Sequence, residues 1–388
     1  MRIGIDARFY GEAGPGRYTK AIVQHLEKVD IKNEYIVFLN QKGFETYTPS
    51  NTNFKKVLVN STWYSFEEQT KFLFAVLKQK LDLYYVPHFN IPVLYPKKIV
   101  TAIPDMTMHK HATRFSTTLP TWYFSIKKVI YKIVFWWAVF RSSKVIVPSK
   151  VVVDEFKHYI KGIPEDKYIL AYEGVDPDFY KKHQNPQEVL DKYGIAKEYI
   201  LYVGSMYEHK NVQGLIEMYK LLKSKFGYTG KFVIVGKKDE FSRKVYEQVK
   251  DQGLDSDILF LSYLLPSAPE EKIVVSDLEI TALRQRAQAY VFAAFTEGFS
   301  LTALEGMVHG LPAAVSDIPC HREVYGDSVV YFDPYNVEDM AGKVNLLLRD
   351  TSLRQQLIAR GFERLKMYDW EKTARITLDV FNKTIFKQ

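Results

Sequence analysis

Two glutamates eight positions apart, Glu297 and Glu305, fall in the stretch Phe295-Thr-Glu-Gly-Phe-Ser-Leu-Thr-Ala-Leu-Glu305, directly after the apolar run 289–294. A strand, a glycine-bearing turn and a helix start in that order build an anion site, because free backbone N–H groups and the positive end of the helix dipole point the same way. Glu297 falls in the turn and Glu305 about two helical turns later, an arrangement suited to a polyhydroxylated ligand such as a sugar nucleotide. Two further strand ends carry glycines, in Gly11-Glu-Ala-Gly14-Pro-Gly16-Arg17-Tyr18 and in Val203-Gly204-Ser205-Met-Tyr-Glu-His-Lys210-Asn211. Gly14 and Gly16 leave backbone open to a phosphate, and Lys210 reaches a diphosphate as a mobile point charge. The first spacing is not the dinucleotide Gly-x-Gly-x-x-Gly, which weakens an oxidoreductase reading.

These loops need elements that bring them to one edge. Apolar strand candidates lie at 3–7, 35–39, 57–59, 83–86, 99–103 and 145–147, with helix-length segments such as 17–29 and 65–79 between them. The rhythm restarts at 199–203, 232–235, 258–261, 289–292, 313–315 and 329–332. Strand-helix alternation implies parallel sheets covered on both faces, and two series imply two doubly wound domains with ligands at the carboxyl ends of their strands. A chain of 388 residues also exceeds what one core usually supports. The turn-rich stretch Tyr172-Glu-Gly-Val-Asp-Pro-Asp-Phe-Tyr180 reads as the linker, and the cleft between the domains as the natural active site. Two Asp-x-Asp patterns, Asp176-Pro-Asp178 and Asp255-Ser-Asp257, read as turns rather than metal sites.

Composition narrows the class. Hydrophobic residues at 47% and charged residues at 25% are those of an ordinary soluble globular protein. Cys320 is the single cysteine, which excludes an internal disulfide and fits a reducing compartment. The start Met-Arg-Ile-Gly-Ile-Asp-Ala-Arg is too short and too charged an apolar run for a signal peptide and reads as a buried strand. Residues 1–170 hold 25 Lys and Arg against 14 Asp and Glu, while the rest hold 28 against 31. Such a basic half suits nucleic acid, an anionic membrane surface or a phosphate-bearing substrate. Nucleic acid rests on charge alone. The membrane is favoured by Thr121-Trp-Tyr-Phe-Ser-Ile-Lys-Lys-Val-Ile-Tyr-Lys-Ile-Val-Phe-Trp-Trp-Ala-Val-Phe-Arg141, where Lys127, Lys128 and Lys132 interrupt an aromatic and aliphatic helix. A lysine at the bilayer centre costs about 2.5–3.5 kcal/mol on insertion scales, which excludes a span, whereas an interfacial helix tolerates it.

The ordered series Ile3-Gly-Ile-Asp-Ala-Arg8, Gly14-Pro-Gly-Arg-Tyr18, Val145-Ile-Val-Pro-Ser149, Tyr172-Glu-Gly-Val-Asp176, Leu201-Tyr-Val-Gly-Ser205, Lys210-Asn211, Val233-Ile-Val-Gly-Lys237, Glu297-Gly-Phe, Leu304-Glu-Gly-Met307, Gly310-Leu-Pro-Ala-Ala-Val-Ser-Asp317 and Asp333-Pro334 runs over nearly the whole chain. In it the chain resembles a retaining glycosyltransferase of family 4. The resemblance implies an α/β GT-B fold, two doubly wound Rossmann-like domains facing each other across a cleft. It implies an acceptor-side domain at 1–172, a nucleotide-sugar domain at 173–369 and a last helix at 370–388 crossing back to the first. Glu297 would sit beside the donor sugar and phosphates, Gly298, Phe299, Ser300 and Leu301 would contact sugar or phosphate, and Glu305 would hold the ribose hydroxyls. Lys210 would neutralise the diphosphate leaving group, Gly16 would let the first domain close over it, and Gly14, Gly204, Ser205 and Tyr263 complete the donor set.

The implied reaction retains anomeric configuration by attack on the face of departure, with no protein nucleophile, metal or cofactor beyond the substrate itself. That substrate is a nucleotide diphosphate sugar, GDP-mannose or a UDP-sugar. A glycan or lipid-linked acceptor would take the hexose, in a cytoplasmic enzyme peripheral at the inner face of the cell membrane and serving envelope polysaccharide synthesis. The chain departs from the family in four places. Pro104-Asp105 stands where many relatives have His-Asp, which offers Asp105, His109 or His111 for the histidine's role. Ser205 stands for an arginine, and Ala293-Ala294 for Pro-Ser; the 264–275 connection is also long. The rival reading is a non-catalytic transferase-like subunit that binds a nucleotide or glycan.

Overall fold

The computed structural model describes residues 1–11, 13–61, 63, 65–110, 121–196, 198–264 and 275–386. His111 and most of the 264–275 connection lie outside them. The chain divides into two compact units, Met1–Gly174 with Asp369–Gln388, and Val175–Tyr368.

The first unit is built on seven parallel strands: β1 Arg2–Asp6, β2 Glu34–Leu39, β3 Phe54–Leu58, β4 Leu83–Val86, β5 Ile99–Ala102, β6 Lys144–Val147 and β7 Tyr168–Leu170, in the order β3-β2-β1-β4-β5-β6-β7. Period-two alternation sends Tyr35, Val37 and Leu39 into one core layer and Ile36 and Phe38 into the other. Both faces are therefore buried, and continuous β-branched and aromatic runs such as Tyr-Ile-Val-Phe-Leu follow from that. Helix Trp370–Phe386 packs on helix Ala13–Val29 and β6, adding Trp370, Ala374 and Phe381 to the first layer. Gly174 permits this return, since a Cβ there would stand 2.4 Å from the Trp370 backbone nitrogen.

Four expectations are corrected here. The first helix begins at Ala13 rather than at 17, so Gly14, Pro15 and Gly16 form its opening turn, where proline's missing N–H costs nothing. The helix expected at 65–79 contains a π-helical turn, Glu68–Phe72, before helix Leu73–Lys78. β3 starts at Phe54 rather than 57, its polar Lys55 and Lys56 having masked the strand pattern. The edge strand β7 was not anticipated, being only three residues long.

The second unit holds six parallel strands: β8 Tyr199–Val203, β9 Lys231–Val235, β10 Ile258–Phe260, β11 Ala289–Phe292, β12 Ala313–Ser316 and β13 Val330–Phe332, in the order β10-β9-β8-β11-β12-β13. Asp176 caps the 3-10 turn Pro177–Tyr180 by accepting the Asp178 N–H at 2.9 Å. Asp257 is held by Lys223 and Lys231, and the hydrogen bond from Lys223 leads in keeping its carboxyl below the usual range. Among the described residues no helix is long and apolar enough to cross a membrane.

Candidate active site

In each sheet the strand order reverses once, between β1 and β4 and between β8 and β11. Open parallel sheets take their ligands at such points, beyond the strands' carboxyl ends. Lys210 lies in the loop after β8 and Glu297 in the loop after β11, so the topology carries both to one place.

Local chemistry fixes them there. Lys210 ends the 3-10 turn Glu208–Lys210, and Asn211 follows in the left-handed region at φ 53. The Asn211 side chain caps helix Val212–Phe226 by accepting the Gly214 N–H at 3.2 Å and donates to the Pro334 carbonyl at 2.9 Å. The Phe295 N–H donates to the His209 carbonyl at 2.8 Å, which joins the two loops. Lys210 and Glu297 form an ion pair whose side chains are 17% and 12% exposed, with the ammonium 5.6 Å from the Phe292 ring centroid. A charge pair this shielded interacts more strongly than it would in water.

Beyond Glu297, Gly298 and Phe299 are buried, the latter edge-on to Tyr368 at 5.3 Å. Ser300 takes φ +71, a conformation rare for a residue with a side chain. It is held because Tyr325 donates to its carbonyl at 2.6 Å and bonds its hydroxyl at 2.8 Å. Half-buried Leu301 opens helix Leu301–Met307. Glu305, 4% exposed, is paired with Arg284 of helix Asp277–Arg286. The Nε and Nη1 groups of Arg284 have no acceptor among the described residues, and its guanidinium lies 4.9 Å from the Phe179 ring. Sequence reading missed Arg284, which no motif marks and which only the fold brings to Glu305.

Other site residues have structural duties. A Cβ on Gly204 would meet the Tyr202 hydroxyl at 2.9 Å, and that hydroxyl donates to the Ser205 carbonyl at 2.6 Å. Tyr263 stacks on Tyr246 at 4.2 Å and shares a hydrogen bond with Ser242; it follows β10, two strands from β8. Gly14 faces open space, but a Cβ on Gly16 would lie 2.1 Å from the Phe9 carbonyl oxygen. Glycine at 16 is thus required by the β1 connection itself.

At the other reversal, sequence reading also missed a buried ionic knot. Arg8 bonds Asp6 at 2.9 and 2.7 Å and Glu68 at 2.5 Å, Asn90 donates to Glu68 at 2.7 and 2.6 Å, and Tyr84 donates to Asp6 at 3.0 Å. The Arg8 guanidinium is sandwiched between Trp63 at 3.9 Å and Phe72 at 3.7 Å. Burial raises the Glu68 carboxyl, against Arg8, which pulls it down. Asp105 follows β5 and accepts the Thr107 N–H at 2.8 Å. His109 is not a free loop histidine: it bonds the Tyr131 hydroxyl at 2.9 Å and packs on Phe135, and burial, aided by Lys132, lowers its pKa to about 4.

Residues 187–364 match the family described as glycosyl transferases group 1. The O-antigen chain mannosyltransferase B of Escherichia coli is 28% identical over 222 residues, 56% of this chain and 55% of that protein. The chain therefore spans about half the length of this curated relative. Among solved structures, sucrose-phosphate synthase from Thermosynechococcus elongatus covers 99% of this chain and 98% of its own at 14% identity with a TM-score of 0.76. HepE from Anabaena, solved in complex with UDP and glucose, covers 99% and 100% at 14% identity with a TM-score of 0.71. The architecture is GT-B.

Proposed function

We propose, for a chain whose residues 187–364 match the glycosyl transferases group 1 family, a hexosyltransferase activity that moves a sugar from a nucleoside diphosphate donor to a glycan acceptor. The observation that carries it is the shielded Lys210–Glu297 pair at the strand-order reversal of the domain that matches the family. Breaking the bond from the anomeric carbon to a diphosphate leaves negative charge on the departing oxygen, and a preorganised ammonium there is the largest help a protein can give. Lys210 supplies that charge. Glu297 holds the ammonium in place and meets the sugar's hydroxyls. The same-face, retaining course needs no protein nucleophile and no metal. The name of the Escherichia coli relative supports mannose as the sugar and O-antigen, an envelope polysaccharide, as the destination, and GDP is the carrier in this reading.

The acceptor is lipid-linked in this reading, because helix Thr121–Arg141 is apolar on two sides. Phe135, Ala138 and Val139 face the core, while Val129, Ile133, Trp136 and Phe140 form an exposed stripe at helical spacing with Lys132 beside it. An apolar stripe flanked by cations suits an anionic bilayer surface.

Glu297→Ala lowers turnover of GDP-mannose or a UDP-hexose at least 100-fold with an unchanged circular dichroism spectrum; wild-type turnover in that variant overturns the assignment. A thermal-shift panel of UDP, GDP and ADP identifies the base, since a ligand at 100 times its Kd adds about 2.7 kcal/mol. A purified chain that binds a nucleotide but turns over no donor supports the non-catalytic alternative.

A further inference from the structure

Glu173 follows β7 and Asp105 follows β5, so both stand at the carboxyl edge of the first sheet with only β6 between their strands. The backbone around Glu173 is clamped. The Thr373 hydroxyl donates to the Tyr172 carbonyl, and Gly174 lies against the Trp370 backbone. The Glu173 side chain is nine-tenths buried, yet among the described residues its carboxyl makes no hydrogen bond and no ion pair. Its oxygens are not among the fully enclosed polar atoms that lack a partner, so a largely buried carboxyl that no described group engages keeps a path to a ligand.

The groups facing it come from three other elements: Asp105 after β5, Tyr18 of helix Ala13–Val29 and Tyr85 of β4. The hydroxyls of Tyr18 and Tyr85 bond each other at 3.0 Å and do not partner the carboxyl. Burial first, and then the charge of Asp105, pushes the Glu173 carboxyl up to about 8, so it is mainly uncharged at neutral pH. A neutral carboxyl offers one O–H donor as well as acceptors, whereas a carboxylate only accepts.

We infer that Glu173 is a substrate-binding residue whose carboxyl hydrogen-bonds a sugar hydroxyl of the acceptor beside Asp105. This rests on the transferase reading above, with the first unit as the acceptor's side. The pair suits a neutral glycan end and repels an anionic one, because Asp105 adds a negative charge.

The test is a set of initial rates with the purified full chain, the donor that the nucleotide panel selects and mannosyl-terminated oligosaccharide acceptors, from pH 6 to pH 9.5. In the wild type the acceptor KM rises at least fivefold between pH 7 and pH 9 while the donor KM stays flat. Glu173→Ala raises the acceptor KM at least tenfold at pH 7 without moving the donor KM. Glu173→Gln keeps an N–H donor in place but cannot ionise, so its acceptor KM loses the alkaline rise, whatever its value at pH 7. An alkaline rise that persists in Glu173→Gln, or an acceptor KM in Glu173→Ala within twofold of wild type, overturns the inference and leaves the transferase reading standing. A wild type with no transfer at any pH overturns both.

Discussion

The two glutamates of the donor-side loop differ in what surrounds them. Glu297 shares a shielded but partly open site with Lys210, so its carboxylate can reach a ligand without dismantling the core. Glu305 is 4% exposed and its charge is met by Arg284, itself 1% exposed. Removing one member of a buried pair strands the other, at about 3–5 kcal/mol, whereas replacing both with apolar groups of similar volume is often nearly neutral. Arg284→Met therefore lowers stability by about 3–5 kcal/mol in urea unfolding, and Arg284→Met with Glu305→Met recovers most of it. The double variant also separates packing from binding. If Glu305 holds ribose hydroxyls, the refolded double variant still binds UDP or GDP at least tenfold more weakly by calorimetry. Wild-type affinity in it would remove Glu305 from the donor site.

At the scale of elements, the opening turn of helix Ala13–Val29 shows two glycines of opposite kind. A Cβ on Gly14 meets nothing within 4 Å, while one on Gly16 would sit 2.1 Å from the Phe9 carbonyl, a backbone atom that cannot step aside. Gly14→Ala thus leaves the urea midpoint nearly unchanged, since the helical advantage of alanine, at most about 1 kcal/mol, is offset by the crowding of its Cβ against the ring of the following Pro15. Gly16→Ala lowers it, by the roughly 1–3 kcal/mol that overpacking costs. Equal effects would contradict the geometry. The same turn shows what the sequence discloses. The buried strands were legible because runs such as Tyr-Ile-Val-Phe-Leu39 have no polar face to confuse the period. The Gly-Pro-Gly turn was read as a loop because its composition is that of a loop; its helical form depends on Phe9 and Gly11, which a local pattern does not reach. The π turn at Glu68–Phe72 leaves the apolar period of its helix nearly intact and so leaves no mark in the sequence. Lys210 and Glu297 stand out in the sequence by their place in strand-end loops. Arg284, and the Arg8–Glu68–Asn90 knot, do not, because their partners meet only after the sheets have formed.

At the scale of the whole molecule, the two units carry buried titratable groups of different sign, and their responses to pH diverge. In the second unit, burial pushes His321 down to about 3. The unfolded chain then binds the extra proton, so stability rises with pH up to the ordinary histidine value near 6.5 and is level above it. In the first unit, burial holds His88 at about 4, which gives the same rise, but it also lifts Glu173 to about 8. A carboxyl that holds its proton more tightly when folded makes stability fall as pH climbs from the ordinary 4.5 through 8. Between pH 6.5 and 8 the histidine contribution is complete, and only the first unit weakens. The molecule supplies its own reporter, because Trp63, Trp122, Trp136, Trp137 and Trp370 all belong to the first unit. Urea midpoints followed by tryptophan fluorescence on the full chain therefore fall between pH 6.5 and pH 8 and flatten beyond, and Glu173→Gln abolishes the fall. Far-ultraviolet dichroism, which sees both units, retains a component whose midpoint does not move over that window. A tryptophan midpoint independent of pH from 6.5 to 8 in the wild type would mean that Glu173 is already charged in the folded protein.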